Sequence, residues 1–213
     1  MVATNPQDRD AWIAKRRGKL TASRIGDIVR TKRNGDMLAA GENYLLEVLT
    51  ERLTGQATDH FVSAPMQWGL DQEANAVTHY EFVTGNKCAF SDFVPHPDFP
   101  DDAGASPDRL VGVDGLLEVK CPITRNHVAF LMDGSIANLG ENYPWQIQMQ
   151  LACTGRAWCD FVCFDPRLKN AALRARIVRV ERDAEMIKQI KDAIERGMDW
   201  IYVSERQLED MGA

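Results

Sequence analysis

The chain has 213 residues, 45% of them hydrophobic and 26% charged, with a formal net charge of −6. That length suits one domain with a sizeable core, and no run of 18 apolar residues is present to cross a bilayer. Five cysteines, an odd number with no CxxC pair, read as buried free thiols rather than disulfides or a zinc site; with a polar stretch at 1–10, they lead to the expectation of a cytoplasmic protein.

In chain order, Thr4 or Asn5 with Pro6 predicts a helix start, and Gly18 its stop. Thr21 or Ser23 is expected to cap a short helix running to about residue 29. Residues 30–41 read as a loop with Arg33-Asn34-Gly35 at its tip. A helix over 42–53 should end at Gly55, and one opened by Pro65 should run to about residue 83 and stop at Gly85. Strand patterns follow at 87–94, 103–110 and 116–121, the last two as a hairpin because Asp114-Gly115 is a strong turn signal. Thr124 should cap a helix through residue 132, and Pro144 should start one ending near Gly155. Two strands, 157–164 and 173–180, turn at Asp165-Pro166, and a helix from about Asp183 closes the chain. This order predicts an α/β (α+β) fold, a central mixed β-sheet flanked by helices, in one domain spanning 1–213.

Charge is unevenly spread. Residues 9–33 hold nine basic side chains against Asp10 and Asp27, so the remaining 188 residues are strongly acidic. The basic helical segment within 1–60 reads as an entrance for a polyanion on an acidic body, or as a solvated helical face.

The chemistry concentrates in the hairpin. Folding at Asp114-Gly115 brings Asp108 beside the strand of Glu118, and strand alternation points Glu118 and Lys120 to one face. Two carboxylates with an ammonium suit metal-assisted phosphodiester cleavage, magnesium or manganese being the ions for hard oxygen ligands, with the Val119 carbonyl a further oxygen. A plain surface hairpin carrying a Glu–Lys pair is the alternative. Glu73, inside the helix opened by Pro65, offers a third carboxylate. Gln146 and Gln150 share a helix face by their i,i+4 spacing.

Together these residues resemble the phage lambda exonuclease family of the PD-(D/E)XK nuclease superfamily. The resemblance runs through Trp12-x3-Arg16, Leu20-Thr21-Ala22-Ser23, Trp68-Gly69 with Glu73, Ser106-Pro107-Asp108, Leu117-Glu118-Val119-Lys120-Cys121-Pro122, Gln146-Ile147-Gln148 and Asp165-Pro166-Arg167. It implies a restriction-endonuclease-like core. It also implies removal of mononucleotides from 5′-phosphorylated ends of double-stranded DNA, leaving a 3′ overhang for phage recombination. Two Mg²⁺ ions are implied, Mn²⁺ being a substitute, as are a homotrimeric ring, a single-strand annealing protein as partner, and action in the host cytoplasm.

By the same resemblance, Asp108, Glu118 and the Val119 carbonyl are metal ligands, Glu73 completes the acidic cluster and Lys120 contacts the attacking water. Arg16, Ser23, Ser106 and Gln146 form the pocket for the terminal 5′ phosphate. Arg33 reaches DNA, and Met66 falls where the family places an apolar wedge, core packing being its alternative. Arg109 stands where a glycine is familiar and is expected to contact DNA or alter the hairpin's entrance. Gln150 takes the place of a tyrosine found in some relatives of the wider superfamily. A site- or structure-specific endonuclease on the same core is the competing reading, and a cleavage-dead end-binding module a more distant one.

Overall fold

The structure, a computed structural model, describes residues 6–58 and 62–212. Helix α1 (Pro6–Arg16) is followed by Gly18, whose φ of 68° only glycine adopts at little cost. The expected helix start at Thr4 or Asn5 lies outside the described residues. Next come strand β1 (Leu20–Thr21), helix α2 (Ile25–Val29) and helix α3 (Ala39–Thr54). Thr21 and Ser23 do not cap α2: Thr21 pairs in β1, and Arg24 occupies the cap position without a side-chain bond. Helix α4 (Ala64–Thr84) is capped by Ser63, whose hydroxyl accepts from the Met66 N–H. Both α3 and α4 stop at glycines in the left-handed region, Gly55 and Gly85, as the sequence predicts.

The strands fall into two sheets rather than one. The larger has the order β2 (Cys88–Ala89), β5 (Arg109–Val111), β6 (Gly115–Lys120), β7 (Trp158–Phe164), β8 (Ala175–Glu181), with only β6 and β7 parallel. The smaller pairs β4 (Ala103–Ala105) with β1 in parallel and with β3 (Val94–Pro95) antiparallel. The predicted strand at 103–110 is therefore two strands, one in each sheet. Pro107 has no N–H to continue a ladder, so the chain bends at Ser106-Pro107-Asp108 as it crosses between sheets. The predicted strand at 87–94 splits likewise into β2 and β3. The hairpin turn is the three residues between β5 and β6. Gly112, with φ 52°, makes the turn, while Gly115 sits in β6 under the Trp158 ring, where a Cβ would collide.

Helices α5 (Thr124–Asp133), α6 (Ile136–Leu139) and α7 (Tyr143–Thr154) connect parallel β6 and β7, as a parallel pair requires. Thr124 begins α5, but Ile123 holds the cap position. Alternation along β6 splits the core. Leu117, Val119 and Cys121 pack under Ala76, Val77 and Tyr80 of α4. Leu116, on the opposite face, packs with Phe130 of α5 and Ile147 and Leu151 of α7. Met149 and Cys153 of α7 join a third cluster, with α2, α3 and the closing helix α8 (Ala184–Gly212) over the small sheet. Helix α7 is thus buried from Gln146 to Cys153, so polar groups on it need partners inside the protein.

After β7, the fully buried Asp165 carboxylate accepts from Arg167 Nε at 2.8 Å, Nη2 at 2.9 Å and the Arg167 N–H at 3.0 Å, and the guanidinium stacks 4.0 Å from the Trp68 ring centroid. Burial works against the charge, but these donors outweigh it and hold the Asp165 acid down at about 2. A carboxylate held below its usual value near 3.9 stabilises the fold at neutral pH, and that contribution is lost as pH falls toward 2. Asp165→Asn should cost about 1–3 kcal/mol in urea unfolding at pH 7, with the deficit narrowing below pH 3.

Candidate active site

Asp108 is the last residue before the β5–β6 ladder, and its Oδ2 accepts from the Val119 N–H at 2.7 Å. A side-chain oxygen thus takes up a strand-edge donor, which fixes Asp108 beside Glu118. On the α7 face of β6, Glu118 is 1% exposed. Its Oε1 accepts from Gln146 Nε2 at 2.6 Å and from Lys120 Nζ, and its Oε2 accepts from Gln150 Nε2 at 2.7 Å. Lys120 Nζ lies 4.8 Å from the Tyr143 ring centroid.

Burial, then the neighbouring Glu118 carboxylate, pushes the Asp108 acid up to about 8. For Lys120, burial pulls downward, but Glu118 and Asp108 outweigh it and the pKa rises. Two carboxylates crowded with one ammonium are short of positive charge; Asp108 and Lys120 line a cleft of about 700 Å³ together with Val119, Glu73 and Tyr143, and Glu118 lies buried directly behind Lys120. A hard divalent cation fits this donor set. Cys121 does not supply a nucleophile: burial pushes its thiol up to about 12.

The structure places the expected site residues as follows. Among the described residues no three carboxylate, imidazole or thiol side chains stand close enough to hold a metal ion. Glu73 reaches the cleft from α4, on the opposite face of the sheet from Glu118, and Arg109 Nη1 donates to its Oε1 at 2.9 Å. Arg109, expected to contact DNA or to alter the hairpin's entrance, is buried. It is 8% exposed, it also donates to the Asp108 backbone carbonyl, and its guanidinium lies 4.6 Å from the Phe90 ring centroid. Gln146, expected at a phosphate, turns its amide to Glu118. Met66 does not pack in the core: it is 53% exposed on the cleft rim, with Val62 and Leu70 beside it on the same lining.

The basic segment is partly neutralised. Lys15 pairs with Asp92, Arg24 with Asp27 and Glu47, and Arg30 with Glu141. Arg16 has no ion-pair partner among the described residues. It lies 4.3 Å from the Trp12 ring centroid and donates to the Ser106 hydroxyl at 3.1 Å, two residues from Asp108. The parallel register of β1 on β4 runs residues 20–21 beside 103–104, which leads Ser23 toward Ser106, and the Ser23 hydroxyl lies 3.5 Å from that of Thr21. Arg33 is exposed in the loop between α2 and α3.

Sequence reasoning missed two contributors, Gln150 and Tyr143. The i,i+4 spacing of Gln146 and Gln150 was the available signal. A fully buried amide between apolar neighbours on α7 needs a partner, and the facing strand offers Glu118. Gln150→Leu should lower the rate of any reaction using Glu118 by about tenfold to a hundredfold, the range for losing a group that orients a ligand. Steady-state kinetics against an unchanged melting curve would check this.

The chain matches the YqaJ-like viral recombinase domain over residues 11–157. Its fold superposes on an alkaline exonuclease, LHK-Exo, from Laribacter hongkongensis with a TM-score of 0.86 at 36% identity, covering 95% of this chain and 97% of the other. The same exonuclease in complex with dAMP superposes with a TM-score of 0.87 at 34% identity over equal shares of the two chains. A phage-related exonuclease from Haemophilus somnus 129PT shares the fold, with a TM-score of 0.73 at 15% identity over 91% of this chain and 96% of its own. No curated protein matches the chain. The resemblance seen in the motifs thus extends to the whole fold, and the chain belongs to the YqaJ-like viral recombinase domain family.

Proposed function

We propose that the chain is a Mg²⁺-dependent exonuclease that degrades one strand of double-stranded DNA from a phosphorylated 5′ end, releasing 5′-mononucleotides and leaving a 3′ overhang. One observation carries this reading: Asp108 and Lys120 line an open cleft with the Glu118 carboxylate bound to Lys120 behind them, and Arg16, which has no ion-pair partner among the described residues, donates to Ser106 alongside. An alkaline exonuclease as a relative at 36% identity supports the same activity.

Arg16 and the hydroxyls of Ser106 and Ser23 supply donors for the terminal phosphate, and Gln146 keeps a second amide hydrogen for it. Gln146 and Gln150 orient Glu118. Asp108, Glu118 and the Val119 carbonyl would hold Mg²⁺, or Mn²⁺ in its place, and a bound ion supplies an acidified water and charge neutralisation for phosphodiester hydrolysis. Lys120 positions that water and offsets the charge developing on the phosphate. Met66, on the rim with Val62 and Leu70, presents an apolar edge to the terminal base pair, and Arg33 a cation to the duplex backbone. Binding through phosphates makes the enzyme tolerant of sequence and sensitive to salt.

The single domain 1–213, with segment 1–60 at the DNA entrance, assembles as a homotrimeric ring and works with a single-strand annealing protein in phage recombination in the host cytoplasm; these rest on the family resemblance. Among the described residues no helix is long and apolar enough to cross a membrane. Digestion of linear and closed circular duplexes, with and without Mg²⁺, tests the reading. Mononucleotides should appear only from linear DNA with the ion present. Linearised circles would transfer the assignment to an endonuclease.

A further inference from the structure

Arg109 is a buried cation at the edge of the acidic cleft. Its Nη1 bridges Glu73 Oε1 and the Asp108 backbone carbonyl, and the Phe90 ring covers its face. Leaving this place would break an ion pair, a hydrogen bond and a cation–π contact together, and would expose a surface that is 92% covered. Arg109 is on the α4 face of the sheet because β5 pairs it with Leu117, which packs beneath α4. Strand geometry therefore aims it at Glu73, and helix α4 brings Glu73 to meet it.

We infer that Arg109 is a built-in counter-cation that takes the place of a second metal ion, so that the chain binds one divalent ion, at Asp108 and Glu118, with Arg109 acting as a positioning residue for Glu73. The inference rests on the metal-dependent reading above and specifies its stoichiometry. The charge balance supports it. A metal site requires ionised ligands, so Asp108, Glu118 and Glu73 contribute three negative charges. Lys120 and Arg109 contribute two positive ones, leaving one negative charge uncompensated. One divalent ion and one phosphodiester then bring the cleft to neutrality. A second ion would leave a surplus of two positive charges in a partly buried place, where like charges repel strongly. The geometry agrees: Glu73 is committed to Arg109, and no third carboxylate stands with Asp108 and Glu118 among the described residues.

The test is to count Mn²⁺ ions bound to the full-length protein without DNA, by the loss of the free Mn²⁺ signal in electron paramagnetic resonance. The parent protein and Arg109→Lys should each bind one ion. Arg109→Met should gain a second, at an affinity about tenfold or more tighter than any second site in the parent, as expected for removal of a nearby like charge. Glu73→Gln should keep the single ion, and it carries the test if Arg109→Met does not fold. Two ions of comparable affinity in the parent would overturn the inference and leave the exonuclease reading intact, as would loss of the ion in Glu73→Gln. If the parent binds no ion, the metal-dependent reading itself falls.

Discussion

Asp108→Ala and Lys120→Ala are each expected to reduce DNA cleavage by about 10³-fold or more, because each removes a charge aimed at the reacting phosphate. The two losses should differ in stability. Asp108 is an acid raised to about 8 by burial and by Glu118, so folding at neutral pH costs free energy, because its carboxyl must take up a proton that the unfolded chain does not bind. Alanine relieves that cost and forfeits the bond from the Val119 N–H, and the two effects offset to within about 1 kcal/mol. Lys120→Ala does the opposite: it leaves Asp108 and Glu118 facing each other without their ammonium, and should destabilise by about 2–3 kcal/mol. Asp108→Ala thus combines an inactive site with an intact fold, the outcome expected of a functional group rather than a structural one. Activity near the parent level in Asp108→Ala would remove the site assignment.

The second large effect concerns the DNA end. A linear duplex bearing a 5′ hydroxyl should be degraded about 10–100-fold more slowly than its 5′-phosphorylated counterpart, the loss expected for one or two charge-assisted hydrogen bonds at about 1.5–3 kcal/mol each. The reason lies in Arg16. Its neighbours Lys15, Arg24 and Arg30 are all tied to carboxylates, whereas Arg16 meets only a hydroxyl and an indole ring. Burial lowers its pKa more than the nearby Tyr44 and Glu51 raise it, as befits a guanidinium with little water and no carboxylate in direct contact among the described residues. In the proposed pocket the terminal phosphate would supply a direct anionic partner. In a double-mutant cycle, Arg16→Ala should be slow on both substrates and should no longer distinguish them. Equal discrimination by the parent and Arg16→Ala would place the phosphate elsewhere.

The hairpin that carries the candidate site was legible because strand alternation is strict: once Asp114-Gly115 marked a turn, Glu118 and Lys120 had to share a face and Asp108 had to lie opposite. Helix ends at Gly18, Gly55, Gly85 and Gly155 were legible because each needs a positive φ. Strands β1, β2 and β3, of two residues each, carry no period to read. The break between β4 and β5 was signalled by Pro107, but the alternating apolar residues around it masked the change of sheet. Side-chain commitments were the least legible. Spacing put Gln150 on one helix face with Gln146 and placed Arg109 beside Asp108, but only the packing shows that they meet Glu118 and Glu73.

The most direct test of the proposed polarity is the fate of the label on a linear duplex phosphorylated at both 5′ ends and labelled at either the 5′ or the 3′ end of one strand. With Mg²⁺ present, the 5′ label should leave at once as a mononucleotide, while the 3′ label stays in long single strands. Early release of the 3′ label as a mononucleotide, or internal fragments from either substrate, would contradict a 5′-to-3′ exonuclease.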